Sequence, residues 1–545
     1  MNTQPLPSVA DEADSIHDVL VIGAGFAGLY GVHRAAKAGL DVLGIEAGED
    51  VGGTWYWNRY PGARCDVESI DYSYSFDADL QDSWVWTERY AAQPEILSYL
   101  RHVAERFELA ERFRFSQRVV SAHFDEESAT WLIGTDRGEQ HRARFVMFAT
   151  GCLSAVNKPD ILGVDDFAGE VLHTAQWPAD GVSFTGKRVG VIGTGSSGIQ
   201  AVPIIAEEAT SLTVFQRTAN YSVPMPNRPL SAEERQQLRE EYPARRAKCY
   251  YAPSATPYDS YPKAALEIDE DERIAALEAR WRAGGVLFGK TFPDQNSVLA
   301  ANDHARRFAE AKVWALVTDP QTAADLIPVD HPIGSKRICT DIGYFETFNR
   351  DNVRLVNLRR EPITAITSTG ITTTDASYEL DTLVYATGFD AMTGALTRID
   401  LRGARGKHIR EVWAEGPITY LGMTIPGFPN MFNLSGPGSP SVLANMVLHA
   451  EQQVEWIVDL IVSCTANGIA EVEPRQDSAR NWTDHVTEVA DTTLFPQANS
   501  WYMGANIPGK KRVFMPYIGG FGNYRRMCDQ VQADSYTGFV LTERS

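Results

Sequence analysis

Cysteine is scarce in this chain of 545 residues: there are six, Cys65, Cys152, Cys249, Cys339, Cys464 and Cys528, and no two form a C-x-x-C pair. That spacing argues against a zinc site or a dithiol redox centre. So few and so dispersed thiols predict a reducing, cytoplasmic setting. Positive charge is also short. A formal net charge of -21 argues against nucleic acid and anionic membranes as partners, because both require clustered Lys and Arg. Long apolar runs are missing too. The run 454–464 is short and carries Glu455 and Asp459, so it reads as an amphipathic helix and not as a membrane span. Residues 1–16 lack a basic region and an apolar core, which predicts a disordered tail and no secretory signal.

The chain is too long for a single core, so two or three domains are expected. Two echoes organise it. Residues 18–22 (DVLVI) form a buried-strand pattern followed by G-A-G-F-A-G, and residues 188–192 (RVGVI) another followed by G-T-G-S-S-G. Residues 145–151 (FVMFATG) and 383–388 (LVYATG) are each a short apolar strand ending in A-T-G. The fold class is therefore α/β, with two Rossmann-type dinucleotide-binding domains. The segment from about 230 to 328, rich in Glu, Arg, Ala and Gln, reads as a helical insertion in the second domain. The expected plan is a tail (1–16), a first segment of a discontinuous FAD domain (17–154), an NADPH domain (155–389) holding the insertion, and the closing segment of the FAD domain (390–545).

In the first unit, Gly23, Gly25 and Gly28 supply the tight turn, the approach to pyrophosphate and the helix–strand contact. The helix that follows offers unpaired N–H groups to the phosphates. The strand 41–46 (DVLGIE) ends in Glu46, twenty-three residues after Gly23. A carboxylate there accepts from both ribose hydroxyls and selects a nucleotide without a 2′-phosphate. Gly193, Gly195 and Gly198 repeat the arrangement, but the strand 212–216 (LTVFQ) runs into Arg217, twenty-four residues after Gly193. A guanidinium at that place suits a 2′-phosphate, hence NADPH. Spacing alone leaves the fate of the electrons open between a bound acceptor and O₂. A disulfide acceptor is excluded because no C-x-x-C is present.

Residues 167–178 read FAGEVLHTAQWP, and residues 52–66 read GGTWYWNRYPGARCD. These resemble the two fingerprints of type I Baeyer–Villiger monooxygenases. The stretches KRICTD (336–341), ATGFDAMTG (386–394), GPGSPSVLANM (436–446) and NSWYMGANIPGK (499–510) also resemble that family, and its phenylacetone and steroid monooxygenase branch in particular. The resemblance covers nearly the whole chain. It implies that a ketone, O₂ and NADPH give an ester or lactone, through attack of a C4a-peroxyflavin on the carbonyl. Other readings are an N- or S-oxygenating flavin monooxygenase, an NADPH:acceptor reductase and a non-catalytic nucleotide sensor.

The resemblance also implies residue roles. Arg337 matches the family's active-site arginine and Asp66 its partner carboxylate. Lys336 looks like a second cation for the 2′-phosphate, beside Arg217 and Thr218. Trp501 sits in a segment that resembles the family's mobile loop. His173 is expected to be structural or a hinge. Thr54, Trp55, Tyr72 and Met446 are expected on the flavin or substrate side, and Ser196, Ser197 and Gln200 beside the second nucleotide. Cys152 is not read as a nucleophile. No metal is expected. The expected partners are a small-molecule ketone and O₂, with no nucleic acid and no membrane, in a monomer or weak homo-oligomer.

Overall fold

The computed structural model describes residues 15–543. Strand β1 (Ile16–Ile22) starts two residues ahead of the DVLVI run. The expected tail therefore stops short of Ile16, and its residues 1–14 lie outside those described. Val19, Leu20, Val21 and Ile22 are all buried: Val19 and Val21 pack with residues of the helix 26–37, and Leu20 and Ile22 with residues of the antiparallel strands that follow. β1 pairs in parallel with β2 (Val42–Ile45) on one side. β2 in turn meets the short β3 (Phe113–Arg114). The antiparallel run β4 (Val119–Asp125), β5 (Thr130–Thr135) and β6 (Gln140–Phe148) then leads back. β6 lies parallel to β1 on its other side. The strands Asp400–Arg402 and Met431–Asn433 rejoin this sheet, on β4 and β6 respectively.

The second sheet is all parallel, in the order Val353–Asn357, β9 (Ser211–Gln216), β8 (Arg188–Ile192), Thr382–Tyr385, β7 (Glu170–His173). The two A-T-G runs thus follow equivalent strands, each lying beside its glycine-loop strand. Both glycine loops lead into helices: α1 (Phe26–Lys37) and α2 (Ser196–Glu208).

The segment expected to be helical contains the helices Ala232–Cys249, Glu270–Ala283, Leu299–Leu316 and Pro320–Leu326. Ser231 opens the first of them with a capping box to Glu234. The two necks of this excursion, Ser222–Pro224 and Cys339–Asp341, pair in parallel with each other. That pairing fixes where the chain returns, and Arg337 stands two residues before the returning strand.

Helix α3 (Met446–Ala466) contains the run read as an amphipathic helix. Val454, Ile457, Leu460 and Ile461 are fully buried, and Trp456 nearly so. Of its three acids, Glu451 is buried and the other two do not simply face water. Glu455 accepts from the Tyr30 hydroxyl at 3.1 Å, and Asp459 from Arg34 at 2.7 Å, both on α1. The last third of the chain therefore backs the first glycine helix. Each fully buried aliphatic side chain there contributes about 1.5–3 kcal/mol. Among the described residues no helix is long and apolar enough to cross a membrane.

Candidate active site

Both glycine loops present an open helix start. α1 begins at Gly25 and α2 at Gly195, and neither has a side-chain cap. The first-turn N–H groups are left to a ligand, as an anion at a helix N-terminus requires. Gly23 has φ +110°, and a Cβ there would lie 2.6 Å from the Ala149 carbonyl. Gly193 has φ +112°, with a Cβ 2.4 Å from the Ala386 carbonyl. Each glycine loop thus presses on its own A-T-G strand end. Gly28 and Gly198 each sit against the carbonyl of the first glycine of their loop. The second fingerprint also gains a physical reason: Gly53 packs its Cα against Gly25, where a Cβ would meet it at 2.8 Å.

Glu46 is buried at the mouth of the first loop. Its carboxylate accepts from the Ala24 N–H at 2.7 Å and the Gly48 N–H at 2.6 Å. Burial raises its pKa, and these backbone donors partly oppose the rise. An acid joined to an uncapped, side-chain-free loop fits the ribose and pyrophosphate of FAD.

At the second loop, Arg217 is exposed just past β9. Thr194 Oγ1 donates to the Thr218 carbonyl at 3.0 Å, tying the loop to the end of that strand. Arg359 Nε donates to the Arg217 carbonyl at 3.1 Å, and its guanidinium pairs with Asp330. Burial lowers the pKa of Lys336. Asp330 opposes this, while Arg359 and Arg217 lower it further. Arg217 and Arg359 thus act on Lys336 as like charges, with Asp330 as the opposing carboxylate, and this excess of positive charge fits a phosphate monoester such as that of NADPH.

The two units meet through residues of both fingerprints. A Cβ on Gly62 would lie 2.4 Å from the Gln200 carbonyl, so the Y-P-G turn packs directly on α2. Gln200 accepts from the Tyr60 hydroxyl at 2.8 Å and donates to the Arg64 carbonyl at 3.1 Å. The Trp177 N–H donates to the Trp57 carbonyl at 3.3 Å. Ser197 accepts from Thr174 Oγ1 at 3.2 Å, and Ser196 lies 3.4 Å from the Cys339 sulfur.

Asp66 and Arg337, 271 residues apart, form a two-pronged pair. Nε donates to Oδ2 at 2.8 Å and Nη2 to Oδ1 at 2.7 Å. Nη1 donates to the Val442 carbonyl at 2.7 Å. Burial alone would lower the pKa of Arg337, but the charge and hydrogen bonds of Asp66 raise it well above the usual value. A guanidinium has five N–H donors; Asp66 and Val442 take three of them, and the Tyr502 hydroxyl stands within hydrogen-bonding reach of the group. Arg337 and Asp66 line a cavity of about 150 Å³, together with Ile338, Val442 and Tyr502.

The other expected residues are placed as follows. Trp55 Nε1 donates to the Tyr72 hydroxyl at 3.3 Å, and Tyr72 meets Phe26 of α1 edge-on. Thr54 is exposed at the start of a short helix. Met446 and Trp501 are partly buried against the cluster that holds Cys152, Val442 and Tyr502. Cys152 is buried, and its thiol pKa is raised by that burial. His173 ends β7. Its Nδ1 accepts from the Ala175 N–H at 3.0 Å and its Nε2 lies 3.3 Å from Thr387 Oγ1, the threonine of the second A-T-G.

Three participants were not anticipated. Tyr502, not its neighbour Trp501, lines the cavity facing Arg337, and burial pushes its hydroxyl up to about 12. The Val442 carbonyl holds the guanidinium. Lys290 comes from the insertion. The aromatic pair WY was a visible signal for the first; a backbone carbonyl and a lysine among fifty basic residues leave none.

Residues 20–275 match the family described as pyridine nucleotide-disulphide oxidoreductase. The chain is 42% identical to 2-oxo-Delta(3)-4,5,5-trimethylcyclopentenylacetyl-CoA monooxygenase of Pseudomonas putida, over 96% of this chain and 98% of that protein. It is 42% identical to a Baeyer-Villiger monooxygenase of Pseudooceanicola batsensis, over 96% of each. Among solved structures, oxidized steroid monooxygenase bound to NADP is 54% identical, with a TM-score of 0.93 over 97% of this chain and all of that one.

Proposed function

Since the chain belongs to the Baeyer–Villiger monooxygenases, we propose roles for its residues in the reaction of that family. The enzyme uses FAD, NADPH and O₂ to place one oxygen atom beside a ketone carbonyl, giving an ester or lactone. The relatives named for ketone oxygenation favour this over simple reduction of an acceptor, and the steroid monooxygenase at 54% identity favours it over N- or S-oxygenation. When bound, FAD reduced by NADPH supplies the activated oxygen.

The two-pronged Asp66–Arg337 pair at the cavity wall is the observation that carries the residue assignment. Asp66 fixes the plane of the guanidinium, and the Val442 carbonyl fixes its roll. The guanidinium face not taken by Asp66 and Val442, with the Tyr502 hydroxyl beside it, is assigned the negative charge that develops on the substrate oxygen. Donors arranged before the reaction stabilise such charge without reorganising, and more strongly where water is excluded. Tyr502, Ile338 and Val442 supply the apolar wall. Trp501 is assigned the closing of this wall over substrate. Gly25, Gly28 and Glu46 are assigned to FAD, and Gly195, Arg217, Thr218 and Lys336 to NADPH. His173 serves as structure between the units. The expected domain plan is proposed as the functional division, with the chain leaving the FAD unit near residue 155 and returning near 390. Six free, buried cysteines support a place in the reducing cytoplasm.

The test uses purified holoenzyme with ¹⁸O₂, NADPH and a panel of cyclic, aryl and steroidal ketones. The expected product is an ester or lactone carrying one ¹⁸O atom, formed as NADPH is consumed. Hydrogen peroxide alone, across the whole panel, would overturn the reading.

A further inference from the structure

The cavity beside Arg337 is lined by charge out of keeping with the acidic chain. Its wall holds Arg89, Arg280, Lys290, Lys336 and Arg337, but of the acids only Asp66 and Glu68. Asp66 is paired with Arg337, and Glu68 with Arg89. Lys336 is accounted for by the phosphate cluster. Arg280 donates to the Asp259 carbonyl, and Lys290 is not accounted for.

Lys290 ends the turn Val286–Lys290, which comes from the insertion. Gly289, just before it, presses on Ile338, where a Cβ would lie 2.9 Å from the Ile338 side chain. The turn is therefore seated against the strand approach that carries Arg337. Lys290 Nζ donates to Ser254 Oγ at 2.6 Å and makes no ion pair among the described residues. An ammonium group has three donors, so two are left without a protein acceptor among the described residues, on a side chain that lines the cavity. Two neighbours in the same wall are also unsatisfied: Thr256 Oγ1 and Asn296 Oδ1 are buried polar atoms with no hydrogen-bond partner. Buried polar groups are normally paired, and a group left unpaired marks a place where a ligand supplies the partner. Burial, and secondarily Arg337, push the Lys290 amine down to about 8. A cation held at such cost is stabilised by an incoming anion.

We propose that Lys290 is a specificity residue that receives a carboxylate carried by the ketone substrate, with Thr256 donating to the same group. The preferred substrates are then keto acids whose carboxylate reaches Lys290 while the reacting carbonyl lies at Arg337. Asn296 Oδ1, an acceptor, suits a hydroxyl or amide N–H on the same skeleton. This rests on the Baeyer–Villiger reading and names a substrate class within it.

The experiment compares three ketones of one skeleton, ending in a methyl group, a methyl ester or a carboxylate, in wild-type holoenzyme, Lys290→Met and Lys290→Arg. Each variant is first checked for FAD content and thermal midpoint. In the wild type the carboxylate is expected to raise kcat/KM about 10-fold or more over the methyl ketone, the scale of one charged hydrogen bond. Lys290→Met should erase that gain while leaving the methyl ketone and the KM for NADPH within about 2-fold; Lys290→Arg should restore some of the gain. The proposal is overturned if the wild type shows no preference for the carboxylate or if the methyl ester gains as much. It is also overturned if Lys290→Met harms the methyl ketone or NADPH equally. Failure of every ketone to give any ester would instead break the Baeyer–Villiger reading itself.

Discussion

The two nucleotide units share a glycine turn, an uncapped helix and an A-T-G strand, yet they end their second strands in opposite ways. Glu46 is buried and already held by two backbone N–H groups. Arg217 is exposed, with only its backbone carbonyl held by Arg359. The first arrangement suits a cofactor that stays, because the acceptor is set before the ligand arrives. The second suits one that must exchange, because an exposed guanidinium loses little on release. On the proposed assignments, the two copies of one scaffold differ in whether the charged group at the strand end is buried or exposed.

The strongest way to break this comparison is at the seam between the units. Arg337→Ala removes the donors at the seam while leaving both glycine loops alone. Ester formation should fall by about a hundred- to a thousand-fold, the usual loss for a preorganised donor to developing charge. Flavin reduction by NADPH, followed by stopped-flow absorbance, should stay near the wild-type rate. If reduction and oxygenation fall together, Arg337 belongs to cofactor binding and not to the seam.

Next in size is Arg217→Ala. Loss of a charged hydrogen bond to the 2′-phosphate costs about 1.5–3 kcal/mol, so the KM for NADPH should rise about 10- to 100-fold while that for NADH hardly moves. Equal changes for both nucleotides would detach Arg217 from the phosphate.

Glu46→Gln sharpens the other side. Burial has raised the Glu46 pKa, so in FAD-free protein its ionisation works against the fold. That carboxyl's contribution to stability is full below the ordinary glutamate pKa and is lost as pH rises through the raised value. Ribose hydroxyls donate to the ionised form, so acidification should release FAD at a higher pH than an ordinary carboxylate predicts. Flavin fluorescence against pH should show this release in the wild type. In Glu46→Gln, FAD should be weaker at neutral pH and the acid limb flattened; an unchanged limb would assign the release to another group.

The smallest effect is expected at Gln200→Ala, which removes the side-chain contacts to Tyr60 and Arg64. About 0.5–1.5 kcal/mol per bond is at stake, seen as a modest fall in thermal midpoint with kcat nearly intact.

The glycine loops, their strands and the helical excursion were legible because each is a local pattern within a few dozen residues. The Asp66–Arg337 pair was not legible from spacing. Nothing in a chain says that residues 271 positions apart will meet, and only the resemblance brought them together. Tyr502, Val442 and Lys290 come from three further segments, and their roles depend on how these close around one cavity. The acids of α3 were legible in part. Glu455 and Asp459 mark the wetter side of the helix, as the pattern implied, but their bonds to Tyr30 and Arg34 of α1 were not written in it. Periodicity tells which side of a helix is polar and does not tell what stands opposite.

The paired necks at Ser222–Pro224 and Cys339–Asp341 give the helical cap the character of a detachable cassette. Its entrance and exit lie side by side, so a foreign cap of different length can be spliced in without stretching either nucleotide fold. Chimeras joined after Pro224 and just before Lys336, so that Lys336 and Arg337 stay in place, should keep both cofactors and exchange only the ceiling over the substrate, which makes this the natural seam for redesigning what the enzyme accepts.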